Sequence, residues 1–122
     1  MKIRIKGNSI RLRLTKTEVA NFGLHGYLEE TTQVGPSTFV YALANDASVS
    51  NLSAKMEGAK ITMQVPAAIA KKWTETEEVG FQNIMKWGND QELFLLLEKD
   101  FVCIDNTFED QSDNYPNPNG AC

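Results

Sequence analysis

The sequence predicts an α+β domain of predominantly antiparallel β-structure, with about eight strands in a curled sheet or half-open barrel and two short helices. Aliphatic and polar residues alternate in several segments with the two-residue period of a strand. Short turns rich in glycine separate these segments. Two other segments carry helix-start signals instead of alternation.

Length and composition favour one folded domain. The chain has 122 residues, of which 42% are hydrophobic and 23% are charged. We predict a single α+β domain over residues 1–104, followed by an acidic, Pro- and Asn-rich tail over residues 105–122. The sequence contains no apolar run of the roughly 18 residues that a membrane-spanning helix needs.

The opening fourteen residues predict a β-hairpin closed by Gly7-Asn8, a pair that suits a tight turn. A two-residue turn fixes which residues face each other. The predicted pairs are Lys6–Ser9, Ile5–Ile10, Arg4–Arg11, Ile3–Leu12 and Lys2–Arg13. One face of this hairpin is then aliphatic and the other is cationic.

The first helix follows the hairpin. Thr15 and Glu18 have the spacing of a capping box, and Gly26 suits a left-handed helix end. We expect Val19, Phe22 and Leu24 to face the core. His25, the sole histidine, precedes the helix end, where its charged form would interact favourably with the helix dipole.

The rest of the sequence predicts six further strands and a second helix. Predicted strands are Tyr27–Val34, Thr38–Ala44, Val49–Glu57, Lys60–Val65, Val79–Trp87 and Glu92–Ile104. Pro66 suits the first position of the second helix, which places Ile69 and Trp73 on one face. The apolar run Leu93–Leu97 predicts a central strand covered on both faces. We detect no internal repeat in the sequence.

The charge distribution is the main functional signal. Residues 1–16 contain six cations and no acid, and the rest of the chain carries −10, since the whole chain carries −4. The candidate anion-binding residues are Lys2, Arg4, Lys6, Arg11 and Arg13. Like charges opposite each other on paired strands are unfavourable unless an anion covers them. The sequence favours a face that is solvated or paired within the protein, and a functional anion site is the alternative.

That anion could be internal or external. The internal candidates are Glu29, Glu30, Glu98 and Asp100 on strands and Glu109, Asp110 and Asp113 in the tail. The external candidates are phosphate, a nucleotide and single-stranded RNA. The net charge is negative and the hairpin contains no aromatic side chain for base stacking, so the sequence disfavours a nucleic-acid partner.

Three functions are compatible with these observations. The sequence favours a non-enzymatic interaction or scaffold domain that contacts an unknown protein or itself through exposed sheet edges. The alternative is a small-anion or nucleotide binder. The third is a phosphohydrolase, because Arg11-x-Arg13 resembles a strand of the triphosphate tunnel hydrolases; their opening Glu-x-Glu-x-Lys is replaced here by Lys2-x-Arg4-x-Lys6.

We predict no catalytic residue, metal site or cofactor, because one histidine and two cysteines have no spacing typical of a zinc site. The opening alternation is unlike an export signal and predicts a cytoplasmic protein. Cys103 and Cys122 are accordingly expected to remain free thiols.

Both ends of the chain resemble an uncharacterised family of bacterial proteins of about this length. The resemblance is carried by the segment Met1–Thr15, by Glu98-Lys99-Asp100-Phe101 near a cysteine, and by the acidic segment before Tyr115-Pro116-Asn117-Pro118. It implies a small bacterial protein of unknown function and assigns a role to no residue.

Overall fold

A computed structural model describes residues 1–101 together with Asp113 and Tyr115. Its elements are β1 (Lys2–Lys6), β2 (Ser9–Leu14), α1 (Lys16–His25), β3 (Tyr27–Val34), β4 (Ser37–Asn45), β5 (Ser53–Glu57), β6 (Lys60–Val65), α2 (Ala67–Glu75), β7 (Gly80–Trp87) and β8 (Gln91–Lys99). The predicted α+β class is confirmed. Cys103, Cys122 and nearly all of the predicted tail lie outside the described residues.

The described strands form two four-stranded sheets. The first sheet has the order β1-β2-β8-β7, and the second has the order β3-β4-β6-β5. Each sheet joins two antiparallel hairpins through a parallel central pair, β2 with β8 and β4 with β6. The sheets are therefore mostly antiparallel, as predicted, and the parallel centres are a feature that the sequence did not indicate.

The two sheets reveal a structural repeat that no repeat in the sequence indicated. Residues 2–45 and 53–99 each form a hairpin, a helix and a second hairpin. Corresponding strands have equal lengths of 5, 6, 8 and 9 residues. Each unit gives one hairpin to each sheet, so neither sheet is complete without both units.

The core lies between the sheets and under the helices. Alternation along β2 directs Ile10, Leu12 and Leu14 inward, and β8 contributes Leu95 and Leu97. Other buried members are Val19, Phe22, Leu43, Leu52, Met63, Val65, Ala70 and Trp73. Phe22 and Trp73 occupy equivalent positions in the two helices and meet edge to face, with ring centroids 6.3 Å apart.

Three hairpins share one turn geometry. Gly7, Gly35 and Gly58 have φ of 53°, 59° and 57°, and the residue after each has a negative φ. This pattern is that of type II′ turns, which need glycine at their first central position. The turn fixes the register between β1 and β2, and all five predicted pairs are confirmed.

The helices follow most of the predicted signals, although Pro66, predicted as the first residue of the second helix, is the N-cap that precedes α2. Both hydrogen bonds of the Thr15–Glu18 capping box are present, and Gly26 ends α1 in the left-handed conformation. Leu24 is 78% exposed, so its predicted place in the core is wrong. Val19 and Phe22 already fill the inward face of this short helix, and Leu24 points to solvent.

Removing either aromatic ring from the helix contact should destabilise the fold. We expect Phe22→Ala and Trp73→Ala each to lower the unfolding free energy by about 3–5 kcal/mol, because both side chains are fully buried. The double variant should lose less than the sum of the single losses, since both remove one shared contact. Urea denaturation measures all three, and strictly additive losses would contradict this contact.

Candidate anion-binding face

The five candidate cations lie on one surface, the face of the first sheet that points away from the core. Leu12 and Leu14 of β2 point inward. Because side chains alternate along a strand, Arg11 and Arg13 point outward. Directly paired residues share a face, which adds Lys2 and Arg4 of β1 to this surface. We call the group Lys2, Arg4, Lys6, Arg11 and Arg13 the cationic face.

One carboxylate of β8 neutralises two of these cations. The parallel register sets Glu98 opposite Arg13. Its Oε1 atom accepts a hydrogen bond from Arg13 Nε at 2.8 Å and lies 3.0 Å from Arg11 Nε. The Glu98 side chain is only 18% exposed, so this shared ion pair is partly shielded from water.

Gly80 of β7 makes room for the strand that carries Glu98. The two residues are paired across the sheet. A Cβ atom at position 80 would lie 2.3 Å from the Leu97 carbonyl oxygen and 2.9 Å from Glu98 Cβ. Glycine is therefore required here by close packing against β8.

A second carboxylate contacts the far end of the cationic face. Asp100 follows β8, is 6% exposed, and lies with its Oδ2 atom 3.2 Å from Lys2 Nζ. Glu98 and Asp100 are two of the predicted internal acids, and both contact this face. Lys2, Arg11 and Arg13 are consequently the paired part of the cationic face.

Arg4 and Lys6 are the unneutralised part. Neither has a carboxylate partner within the described portion of the chain. Both line a cavity of about 160 Å³ on the outer surface. Its full lining is Arg4, Lys6, Ser9, Ile10, Arg11, Phe94 and Leu96.

The apolar side of this cavity was missed by the sequence analysis. Phe94 is 36% exposed and lies opposite Ser9, and Leu96 lies opposite Arg11. The expectation that the Leu93–Leu97 strand is covered on both faces is therefore wrong: the strand is central, but Phe94 and Leu96 face outward. The run is apolar because one face packs in the core and the other forms the cavity.

Hydrogen bonds from the hairpin turn hold Phe94 in this position. The Phe94 amide donates to the Asn8 carbonyl at 3.0 Å. The Asn8 side-chain amide in turn donates to the Glu92 carbonyl. The turn of one unit is thus fixed to the strand of the other, and the cationic and apolar sides of the cavity have a defined spacing.

The remaining predicted acids contact other parts of the molecule. Asp113 lies at the start of α1 and accepts from the Thr17 hydroxyl at 2.9 Å; hydrogen bonds from Thr15 and Thr17 lower the pKa of Asp113. Glu29 accepts from the Tyr27 hydroxyl, and Glu30 lies 3.7 Å from the amine of Met1. Glu109 and Asp110 lie outside the described residues.

The arrangement differs from a hydrolase tunnel. A tunnel requires cations that point into the barrel interior, whereas here the space between the sheets is filled by side chains such as Leu12, Leu97 and Trp73. The cations lie on the opposite side of the first sheet. Within the described residues no cluster of three or more His, Cys, Asp or Glu side chains has the geometry to hold a metal ion.

Comparison with known proteins assigns the chain to a family. A family of unknown function, DUF7009, matches residues 1–119. The chain belongs to this family. No curated protein and no solved structure matches it. In the part of the chain that the structure describes, no helix has the length and apolarity needed to cross a membrane.

Neutralising Glu98 should destabilise the first sheet through its two arginine partners. We expect Glu98→Gln to lower the unfolding free energy by about 1 kcal/mol at low salt, and by less at high salt. The matched control is Glu57→Gln, because Glu57 is 72% exposed and its ion pair with Lys55 is a surface contact of small value. Urea denaturation that gives equal effects for both variants would contradict the shared ion pair.

Burial of Lys99 should make stability depend on pH. Its amine donates to the Thr76 carbonyl at 2.9 Å, and desolvation lowers its pKa below 10.5. The unfolded chain then binds this proton more tightly, so stability should rise with pH from the lowered pKa to about 10.5. Lys99→Met should remove this rise in the unfolding free energy; identical pH profiles would contradict the assignment.

Proposed function

We propose that this chain is a non-enzymatic binding domain that takes an anionic ligand on the outer face of its first sheet. One observation carries the proposal: Arg4 and Lys6, unneutralised in the described part of the chain, line the cavity of about 160 Å³ beside Phe94 and Leu96. The cavity therefore offers positive charge and apolar surface side by side.

The chemistry of the cavity favours binding a ligand that has both anionic and apolar parts. An anion at Arg4 and Lys6 would also relieve the repulsion between Arg4 and Arg11, which are directly opposed. Phe94 and Leu96 would bury an adjoining apolar group. A bare inorganic anion would satisfy the cations and leave this apolar side exposed.

A small anion or nucleotide is the second candidate. Phe94 supplies one aromatic ring within the cavity, the element that the sequence analysis did not find in the hairpin. A single ring can stack on one base next to a phosphate held by Arg4. A nucleic-acid strand would need several such rings along a continuous cationic groove, so a nucleotide fits better.

The setting of this activity is part of the proposal. We propose that the family is bacterial and that this protein acts in the cytoplasm. We also retain the segment Tyr115-Pro116-Asn117-Pro118 as a family feature. Tyr115 packs on Phe101, with ring centroids 5.6 Å apart, which supports a structural role for this tyrosine.

A thermal-shift comparison tests the proposed site. Phosphate, ATP and polyphosphate should raise the melting temperature, and a ligand at a hundred times its Kd adds about 2.7 kcal/mol of stability. Arg4→Ala combined with Lys6→Ala should abolish this rise, because both changes remove cations from the cavity.

The matched control is Lys71→Ala combined with Lys72→Ala, which removes the same charge from exposed positions of α2. This control should keep the full shift. The proposal would be wrong if no anion raised the melting temperature of the native chain, or if both double variants lost the shift equally.

A further inference from the structure

We infer that the natural ligand is an extended acidic segment of another protein, which pairs as an antiparallel strand with the outer edge of β1. This inference rests on the proposed function and names its ligand. It is carried by three features of β1: Arg4 and Lys6 lie on the outer face, Ile5 lies on the other face, and no described strand pairs with the backbone edge between them.

The backbone of β1 has hydrogen-bonding groups directed away from the sheet. β1 is an outer strand whose one ladder, within the described residues, is with β2. The two-residue turn makes Lys6–Ser9 a hydrogen-bonded pair, and such pairs alternate along a hairpin. The N–H and C=O groups of Ile3 and Ile5 therefore point outward, where an added strand would meet them.

The side chains of β1 define what that strand should carry. Directly opposed residues on neighbouring strands have Cβ atoms about 4.5–5.5 Å apart, close enough for ion pairs. Carboxylates opposite Arg4 and Lys6 would fall on the cationic face. The residue between them would cover Ile5, which is 53% exposed. Acidic and apolar residues must therefore alternate in the partner.

A second copy of this chain fits the edge poorly. Antiparallel pairing of β1 with another β1 would set cations of one copy opposite cations of the other, which is unfavourable. Pairing of β1 with β3 of a second copy is also disfavoured, although β3 is an outer strand with two acids. Glu29 already accepts a hydrogen bond from the Tyr27 hydroxyl at 2.7 Å, and Glu30 lies beside the Met1 amine. Charge complementarity thus favours a different protein.

Fluorescence anisotropy with a labelled Glu-Val-Glu-Val-Glu peptide and the full chain tests this inference. Binding should weaken as salt increases, because ion pairs contribute. The control peptide Glu-Glu-Glu-Val-Val has the same composition and charge, but it cannot place its carboxylates on one face and its valines on the other. We expect it to bind about tenfold more weakly.

Backbone methylation separates strand pairing from charge attraction. In the antiparallel arrangement the valines lie opposite Ile3 and Ile5, so their N–H groups face β1, whereas the glutamate N–H groups face solvent. N-methylation of the valines should weaken binding at least about tenfold, through lost hydrogen bonds and a steric clash. N-methylation of the glutamates should change it little.

Each result has a defined meaning. Strand addition would be supported if N-methylation of the valines, but not of the glutamates, weakened peptide binding. It would be supported further if binding were lost in the Arg4→Ala, Lys6→Ala double variant and kept in the Lys71→Ala, Lys72→Ala control. Equal binding of both methylated peptides would overturn strand addition and leave the anion site intact. No binding of any peptide, with no thermal shift by phosphate, ATP or polyphosphate, would overturn both. Concentration-dependent dimerisation of the chain through this edge would also overturn the inference that another protein is the partner.

Discussion

The parallel pairing of β2 with β8 is the constraint on which the rest of this structure depends. These strands come from different halves of the chain, and their contact completes the first sheet. On the inner side the pairing joins Leu12 to Leu97 in the core. On the outer side the same register sets Glu98 beside Arg13 and Phe94 beside Ser9. One register thus determines both the core and the candidate site.

The pairing explains how a face with five cations is compatible with folding. Lys2 opposite Arg13 and Arg4 opposite Arg11 are repulsive pairs when the hairpin is considered alone. Glu98 lies next to both arginines of β2, and Asp100 lies next to Lys2. These acids neutralise one end of the face. The positive charge that remains is concentrated at Arg4 and Lys6, beside the apolar surface from β8.

What the sequence could predict follows from how local each feature is. The register of β1 and β2 depends on a two-residue turn, and the cap of α1 depends on residues three apart; both were predicted correctly. The second partner of β2 is β8, which lies more than eighty residues away, and no local pattern specifies this pairing. For this reason the sequence could nominate Glu98 as a counter-charge but could not show that Phe94 and Leu96 border the cations.

The sequence did not indicate the structural repeat for a related reason. The two units share strand lengths and the position of a large aromatic side chain in the helix, Phe22 in one and Trp73 in the other. The chemistry of their other side chains differs. Divergence at equivalent outward positions is large: Arg11 corresponds to Thr62, and Lys6 corresponds to Glu57. The cationic face is therefore specific to the first sheet and is not a consequence of the repeated fold.

The central claim is that the excess positive charge of the first sheet forms a binding site at β1 and β8. A titration of the ¹⁵N-labelled chain with polyphosphate, followed by amide chemical shifts, tests it most directly. The account predicts that the largest changes occur at Arg4, Lys6 and Phe94, with small changes on α2 and the second sheet. Changes centred on Lys71 and Lys72, or spread evenly over all exposed cations, would contradict it.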